Sequence, residues 1–150
     1  MAVFLLTYNA LKGGWESRDD DLREFARAGE AERVVKGRWS IARKHDIGPG
    51  DEVYLLRQRF KPRGILASGF VASAPYPDDD WEKPGEMCDY VDVDWSRAVS
   101  FTDPLRLGDL KRVSPKQHWT PQQSGIELRS EYIRAVADLW ETHTRKRRRW

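Results

Sequence analysis

Residues 47–73 read IGPGDEVYLLRQRFKPRGILASGFVAS, and this stretch decides the fold. Ile47-Gly48-Pro49-Gly50-Asp51 packs glycine and proline together, which marks a tight turn because these residues permit or preset the dihedral angles a turn needs. Glu52–Arg57 (EVYLLR) follows as a strand, and Arg59–Arg63 is a basic turn containing Pro62. Gly64–Ser73 (GILASGFVAS) is the next strand, and its two glycines permit a bulge or the close approach of another backbone. The two strands together make a hairpin.

Outward from this hairpin, Val3–Thr7 (VFLLT) is a short, almost fully apolar run, which reads as a buried first strand. Helical spacing of Leu22, Phe25 and Ala26 predicts a helix over Asp20–Ala28, with a second short one through Glu32–Val35. Downstream, Ala74–Glu86 is a Pro- and Asp-rich loop. Asp89–Trp95 alternates, with Tyr90, Asp92 and Asp94 on one side and Val91, Val93 and Trp95 on the other, which predicts a half-buried strand. Arg97–Thr102 reads as another short strand, and Leu105–Arg112 as either irregular or a helical turn. Gln117–Gly125 is a second long polar loop. Ser130 then caps a helix through about His143, whose apolar positions Ile133, Val136, Ala137 and Trp140 recur at helical spacing. Such stripes are core far more often than site, so Trp140 is assigned to packing. Five or six strands, consecutive in the middle, with two or three helices, predict an α+β curved sheet or barrel flanked by helices. The chain carries neither G-x-G-x-x-G nor G-x-x-x-x-G-K-[ST], which argues against a nucleotide cofactor, and no cofactor is expected.

Composition narrows the function. A length of 150 residues, 39% hydrophobic and 33% charged, fits one polar-surfaced domain. No apolar run approaches membrane-spanning length, and the start MAVFLLTYNA lacks the basic region of a signal peptide, so no membrane partner is expected. The single cysteine, Cys88, excludes an internal disulfide framework and a cysteine-based zinc site, in keeping with a cytoplasmic location. None of His45, His118 and His143 has a second His or Cys at metal-ligand spacing. Cys88 adjoins an acidic strand, which raises rather than lowers a thiol pKa. Asp78-Asp79-Asp80 reads as a solvated loop. No catalytic chemistry and no metal are expected. The net charge of +2 hides zoning: residues 30–64 are basic on balance, residues 76–103 strongly acidic, and the end HTRKRRRW basic again. Such zoning suits orientation on a polyanion, although solvated loops of mixed charge explain it equally well.

Seven tryptophans remain to be explained, several of them among Gly, Pro, Ser and Asp. Gly37-Arg38-Trp39-Ser40, Asp80-Trp81 and Gln117–Gly125 (with Trp119 and Ser124) each join an indole to small polar groups, and Thr7-Tyr8-Asn9 adds polar groups at the end of the first strand. A base drawn out of a duplex needs aromatic faces for stacking and polar groups for its Watson–Crick edge. Arg38, Arg43, Lys44, Arg57, Arg59 and Arg63 supply cations for phosphates. The competing reading is that these tryptophans plug gaps between loops and sheet.

Taken in order, FLLTYN (4–9), GRWS (37–40), I-x-P-G-D with VYLLRQ (47–58), PRGILASG (62–69), PYPDDDW (75–81), YVDVDW (90–95) and W-T-P-Q-Q-S-G-I (119–126) make the chain resemble the EVE domain of the PUA-like superfamily. The version it is most similar to stands at the front of modification-dependent HNH restriction endonucleases. The resemblance implies a PUA-like barrel over residues 1–143, with 144–150 a basic tail or the start of a linker. It also implies recognition of 5-methylcytosine or 5-hydroxymethylcytosine in DNA by base flipping, and an associated HNH nuclease as partner. By likeness to the related YTH domains, which read N6-methyladenine in RNA, Trp39 and Trp81 would be the stacking walls. Ser40, Thr7, Tyr8, Asn9, Ser124 and Gly125 would then be the polar contacts. RNA is the alternative partner, and a hydrolase of modified nucleosides ranks last. Two departures bear on the pocket mouth: Tyr8-Asn9-Ala10 stands where the family has W-N-P, and Asp80 where a His often precedes the second Trp.

Overall fold

The computed structural model describes residues 2–9, 34–41, 46–58, 61–80, 83–100, 103–121 and 124–147. Among these run eight strands: β1 (Val3–Asn9), β2 (Val35–Ser40), β3 (Glu52–Gln58), β4 (Gly64–Val71), β5 (Tyr76–Asp79), β6 (Met87–Ala98), β7 (Leu105–Arg106) and β8 (Ile126–Glu127). Helix α1 spans Leu107–Val113, and a 3₁₀ turn at Ser130–Tyr132 leads into α2, Ile133–Arg147. One mixed sheet runs in the order β2-β6-β4-β3-β1-β8, with β5 paired to β6 and β7 to β4. β1 lies parallel to β3, and the other pairings are antiparallel. This is the α+β architecture expected of a PUA-like domain. β2 and β1 stand far apart in the strand order, yet the Trp39 indole N–H donates to the Thr7 carbonyl at 2.9 Å, so the sheet is rolled until these strands meet.

Strand alternation divides the core in two. Phe4, Leu6, Val53, Leu55, Val91, Val93, Trp39 and Trp95 fill one side of the sheet. Val3, Leu5, Tyr54, Leu56, Ile65, Trp119, Leu128, Val136 and Trp140 fill the other, beneath the helices. β1 is buried on both faces, which is why VFLLT shows no alternation. Trp140 packs as expected: its indole N–H donates to Ser68 Oγ at 2.8 Å and its ring meets Tyr54 edge-on. The turn before β3 is fixed by the Asp51 carboxylate, which accepts from Gly48 N at 2.9 Å, and by Gly50 at φ +89°.

The hairpin glycines sit where other backbone comes close. A Cβ on Gly64 would stand 2.0 Å from the Leu105 carbonyl oxygen, and one on Gly69 would stand 2.4 Å from that of Asp94. Gly69 adjoins a bulge: Ser68 faces Arg97 while Gly69 faces Trp95, which leaves Ser96 as the extra residue of β6. Gly69→Ala is therefore expected to cost about 3 kcal/mol, since rigid backbone must move, and to lower Tm by roughly 10 °C. Thermal melting by circular dichroism checks this.

Several expected boundaries are corrected. The strands expected at Asp89–Trp95 and Arg97–Thr102 are one strand, Met87–Ala98, because the break in alternation at Ser96 is the bulge and not a strand end. Residues 76–79, expected as loop, form β5, a polar strand whose alternate side chains face solvent. Val35, expected at the end of a helix, opens β2, an edge strand whose Lys36, Gly37 and Arg38 are exposed and carry little apolar signal. Leu105–Arg112 is two residues of strand followed by a helix. The last helix passes His143 and reaches Arg147, helped by buried Thr144 bonding back to the Trp140 carbonyl at 3.0 Å and by the Glu141–Arg145 pair at 2.7 Å. The helix expected over Asp20–Ala28 lies outside the described residues.

Candidate nucleic-acid interface

The carboxyl end of β1 gathers several of the expected site residues. Thr7 is the hub. Its carbonyl accepts the Trp39 indole N–H at 2.9 Å, and its N–H donates to Ser124 Oγ at 3.0 Å. The next residue, Gly125, adopts φ +97°, a conformation that favours glycine, and donates to the Leu5 carbonyl at 2.9 Å. Thr7, Trp39, Ser124 and Gly125, from three separate segments, thus meet through hydrogen bonds. Tyr8 and Asn9 continue β1 in register with Arg57 and Gln58 of β3. For these two residues only the backbone is described.

The geometry around Trp39 separates neighbours that sequence joined. Trp39 is 5% exposed and meets Trp95 edge-on, with ring centroids 6.3 Å apart and an interplanar angle of 86°. Ser40 stands on the opposite face of β2, across from Tyr90, because consecutive strand residues alternate. Arg38 shares the face of Ser40. Its guanidinium lies 4.2 Å above the Tyr90 ring and 2.5 Å from Asp78 Oδ2. The Asp78 side chain raises the pKa of Arg38. The Asp79 backbone N–H, and then Arg38, hold the Asp78 carboxyl below the ordinary carboxylate range. Tyr76 joins the same face by donating to Asp92 Oδ1 at 2.6 Å. Arg38 is therefore engaged within the protein. A phosphate would have to compete with Asp78 for it.

Trp119 does not join the cluster. It is 2% exposed beneath the helices, and its indole N–H donates to the buried Ser114 hydroxyl at 3.0 Å. That hydroxyl in turn donates to the Leu110 carbonyl. Arg57 and Arg63 are half-buried at the end of β3 and in the β3–β4 turn. Trp81, Arg43, Lys44 and Arg59 lie outside the described residues. Burial raises the pKa of the Cys88 thiol, with further upward contributions from Asp80 and Asp89. Among the described residues, no three His, Cys, Asp or Glu side chains are grouped to hold a metal ion, and no helix is long and apolar enough to cross a membrane.

Gln58 is a buried polar residue near this end of the sheet that sequence reading passed over. It ends β3 beside Asn9, is 8% exposed, and donates from Nε2 to the Pro121 carbonyl at 2.8 Å. Its amide ties down the loop whose far end Ser124 fixes to Thr7. The available signal was a polar residue sharing strand parity with Tyr54 and Leu56.

No family model and no curated protein matches this chain. Solved structures do, and they share its fold. A Pseudomonas syringae protein superposes with TM-score 0.59 at 20% identity, covering 92% of this chain and 99% of its own. The human THYN1 protein in complex with DNA containing 5-methylcytosine gives 0.56 at 15% identity, covering 94% and 98%. The Mmi1 YTH domain in complex with RNA gives 0.57 at 12% identity, covering 97% and 81%. The fold is EVE/YTH-like, the α+β PUA-like fold the sequence predicted.

Proposed function

We propose that this chain binds nucleic acid and reads a modified base, with modified cytosine in duplex DNA as the preferred target. The observation that carries the reading is the bonded set Trp39–Thr7–Ser124 at the end of β1. It holds an indole and two hydroxyl-bearing residues from distant segments in a fixed relation, as an extruded base requires. The similar fold of THYN1, solved with DNA containing 5-methylcytosine, supports DNA as the ligand, and that of the Mmi1 YTH domain, solved with RNA, makes RNA the competing ligand. Trp39 and Trp81 are the proposed stacking residues, and Thr7, Tyr8, Asn9, Ser124 and Gly125 the edge contacts; Ser40, on the opposite face of β2 from Trp39, is not among them. Arg43, Lys44, Arg57, Arg59 and Arg63 are the phosphate contacts, with Arg38 released from Asp78 on binding. A non-enzymatic sensor of this kind suits a modification-dependent restriction system in which a partner nuclease cuts.

Fluorescence anisotropy at fixed salt tests the proposal with matched duplexes carrying cytosine, 5-methylcytosine or 5-hydroxymethylcytosine, and with single-stranded RNA with and without N6-methyladenine. One modified duplex is expected to bind at least tenfold more tightly than its unmodified match. Equal affinity across the DNA series, with tighter binding of methylated RNA, transfers the site to RNA. Equal affinity throughout removes the proposal.

A further inference from the structure

We propose that the cleft between α2 and the sheet binds a free α-amino acid with an aromatic side chain. The cleft lies where β3 begins, at the opposite end of the sheet from the Trp39–Thr7–Ser124 set, so the inference stands apart from the modified-base reading. Its volume is about 420 Å³, within the ~300–1,000 Å³ of small-ligand sites. Strand register builds its floor. Glu52 of β3 lies opposite Phe70 of β4, Tyr54 opposite Ser68, and Ser68 opposite Arg97 of β6. The bulge at Ser96 brings Arg97 to this face, since strict alternation would turn it to the side of Trp95. Trp140 of α2 covers the floor, its indole N–H fixed on Ser68 Oγ at 2.8 Å.

Two opposite charges line this cleft without meeting. Arg97 is half-buried, and neither it nor Glu52 forms an ion pair among the described residues. The Tyr54 hydroxyl stands near both, donating to the Glu52 carboxylate and lying in the field of the Arg97 guanidinium. Burial, and then Glu52, push the Tyr54 pKa up, so the hydroxyl stays a donor. The other carboxylate lining the cleft, Glu141, is paired with Arg145 at 2.7 Å. A half-buried guanidinium without a counter-ion is matched by a carboxylate, which it binds through two parallel N–H donors. A ligand that is only anionic would also meet the charge of Glu52, and one that is only cationic the charge of Arg97. An α-amino acid carries both charges on one carbon and bridges the gap between them. Phe70 sets the side chain. Unlike the buried rings of Tyr54 and Trp140 beside it, Phe70 is 44% exposed, and it offers the cleft a face on which a second ring packs.

Heteronuclear NMR titration of the full chain tests this with phenylalanine and three truncated ligands: 3-phenylpropionate without the ammonium, phenethylamine without the carboxylate, and alanine without the ring. Phenylalanine is expected to saturate with a Kd below about 1 mM, and each truncated ligand to bind at least about tenfold more weakly. Arg97→Gln is expected to weaken phenylalanine about tenfold without weakening phenethylamine. Glu52→Gln, whose amide oxygen still accepts from Tyr54, is expected to weaken phenylalanine to a similar degree without weakening 3-phenylpropionate. This crossed pattern is one that general loosening of the fold would not produce. Failure of phenylalanine to saturate the parent protein overturns the proposal. So does any truncated ligand bound as tightly as phenylalanine, or an Arg97→Gln protein that keeps the parent affinity for it. Should a variant fail to fold, the ligand series on the parent protein still decides.

Discussion

Trp39→Ala is expected to cost about 3–5 kcal/mol, lower Tm by roughly 10–15 °C and abolish measurable selectivity for a modified base. The first effect follows from burial. The indole fills a core shared with Trp95, Phe4 and Val91, and truncation leaves a cavity that the rolled sheet cannot close without moving β2 away from β1. The second follows from the bond to the Thr7 carbonyl, because Thr7 also positions Ser124. Trp39→Phe separates the two. It keeps most of the ring volume and removes the N–H donor, so about 1–2 kcal/mol of stability is lost while selectivity still falls, by around tenfold. Melting and duplex anisotropy on both variants check this. If Trp39→Phe binds a modified duplex as tightly as the parent protein, Trp39 serves packing alone.

The parts of this fold that sequence revealed are those where side-chain period and burial agree. Val3–Thr7, the 47–73 hairpin and the apolar stripe of the last helix each bury a face that their pattern announces, and their element types are as read. The glycines of the hairpin carried a correct message too, since Gly64 and Gly69 stand against the carbonyls of Leu105 and Asp94. Legibility failed where pairing is bought by backbone bonds rather than by apolar side chains. β5 is held to β6 as a polar strip, and β2 is an edge strand with a single large buried ring. Composition and the family resemblance named Thr7, Trp39, Ser124 and Gly125, which the fold brings together at the end of β1. Neither could show that Arg38 is spent on Asp78 and Tyr90, because that contact joins residues distant in the chain. Gln58, a glutamine after an arginine at a strand end, looks like surface until the loop carrying Pro121 covers it.

Trp119 provides the contrasting case, an indole in a polar loop that the fold takes inside. Trp119→Ala is expected to destabilise the protein by about 3–5 kcal/mol, as much as the loss of Trp39, yet to leave affinity and base preference of the folded fraction unchanged. The indole is among the largest fully buried side chains described. It sits with Leu110, Leu128 and Trp140 under α2, and its N–H satisfies a hydroxyl that is itself sealed at the end of α1. Removing it opens a cavity and also strips Ser114 of its donor, two costs that add at one site. Trp119→Phe should recover most of the packing and leave only the hydrogen-bond loss, about 1–2 kcal/mol. Denaturant melts give the stability. Anisotropy well below the melting temperature gives the affinity of the folded protein. A Trp119→Phe protein that remains fully folded but binds a modified duplex tenfold more weakly would return this residue to the site, and with it the loop at 117–125 as a stacking wall rather than a support.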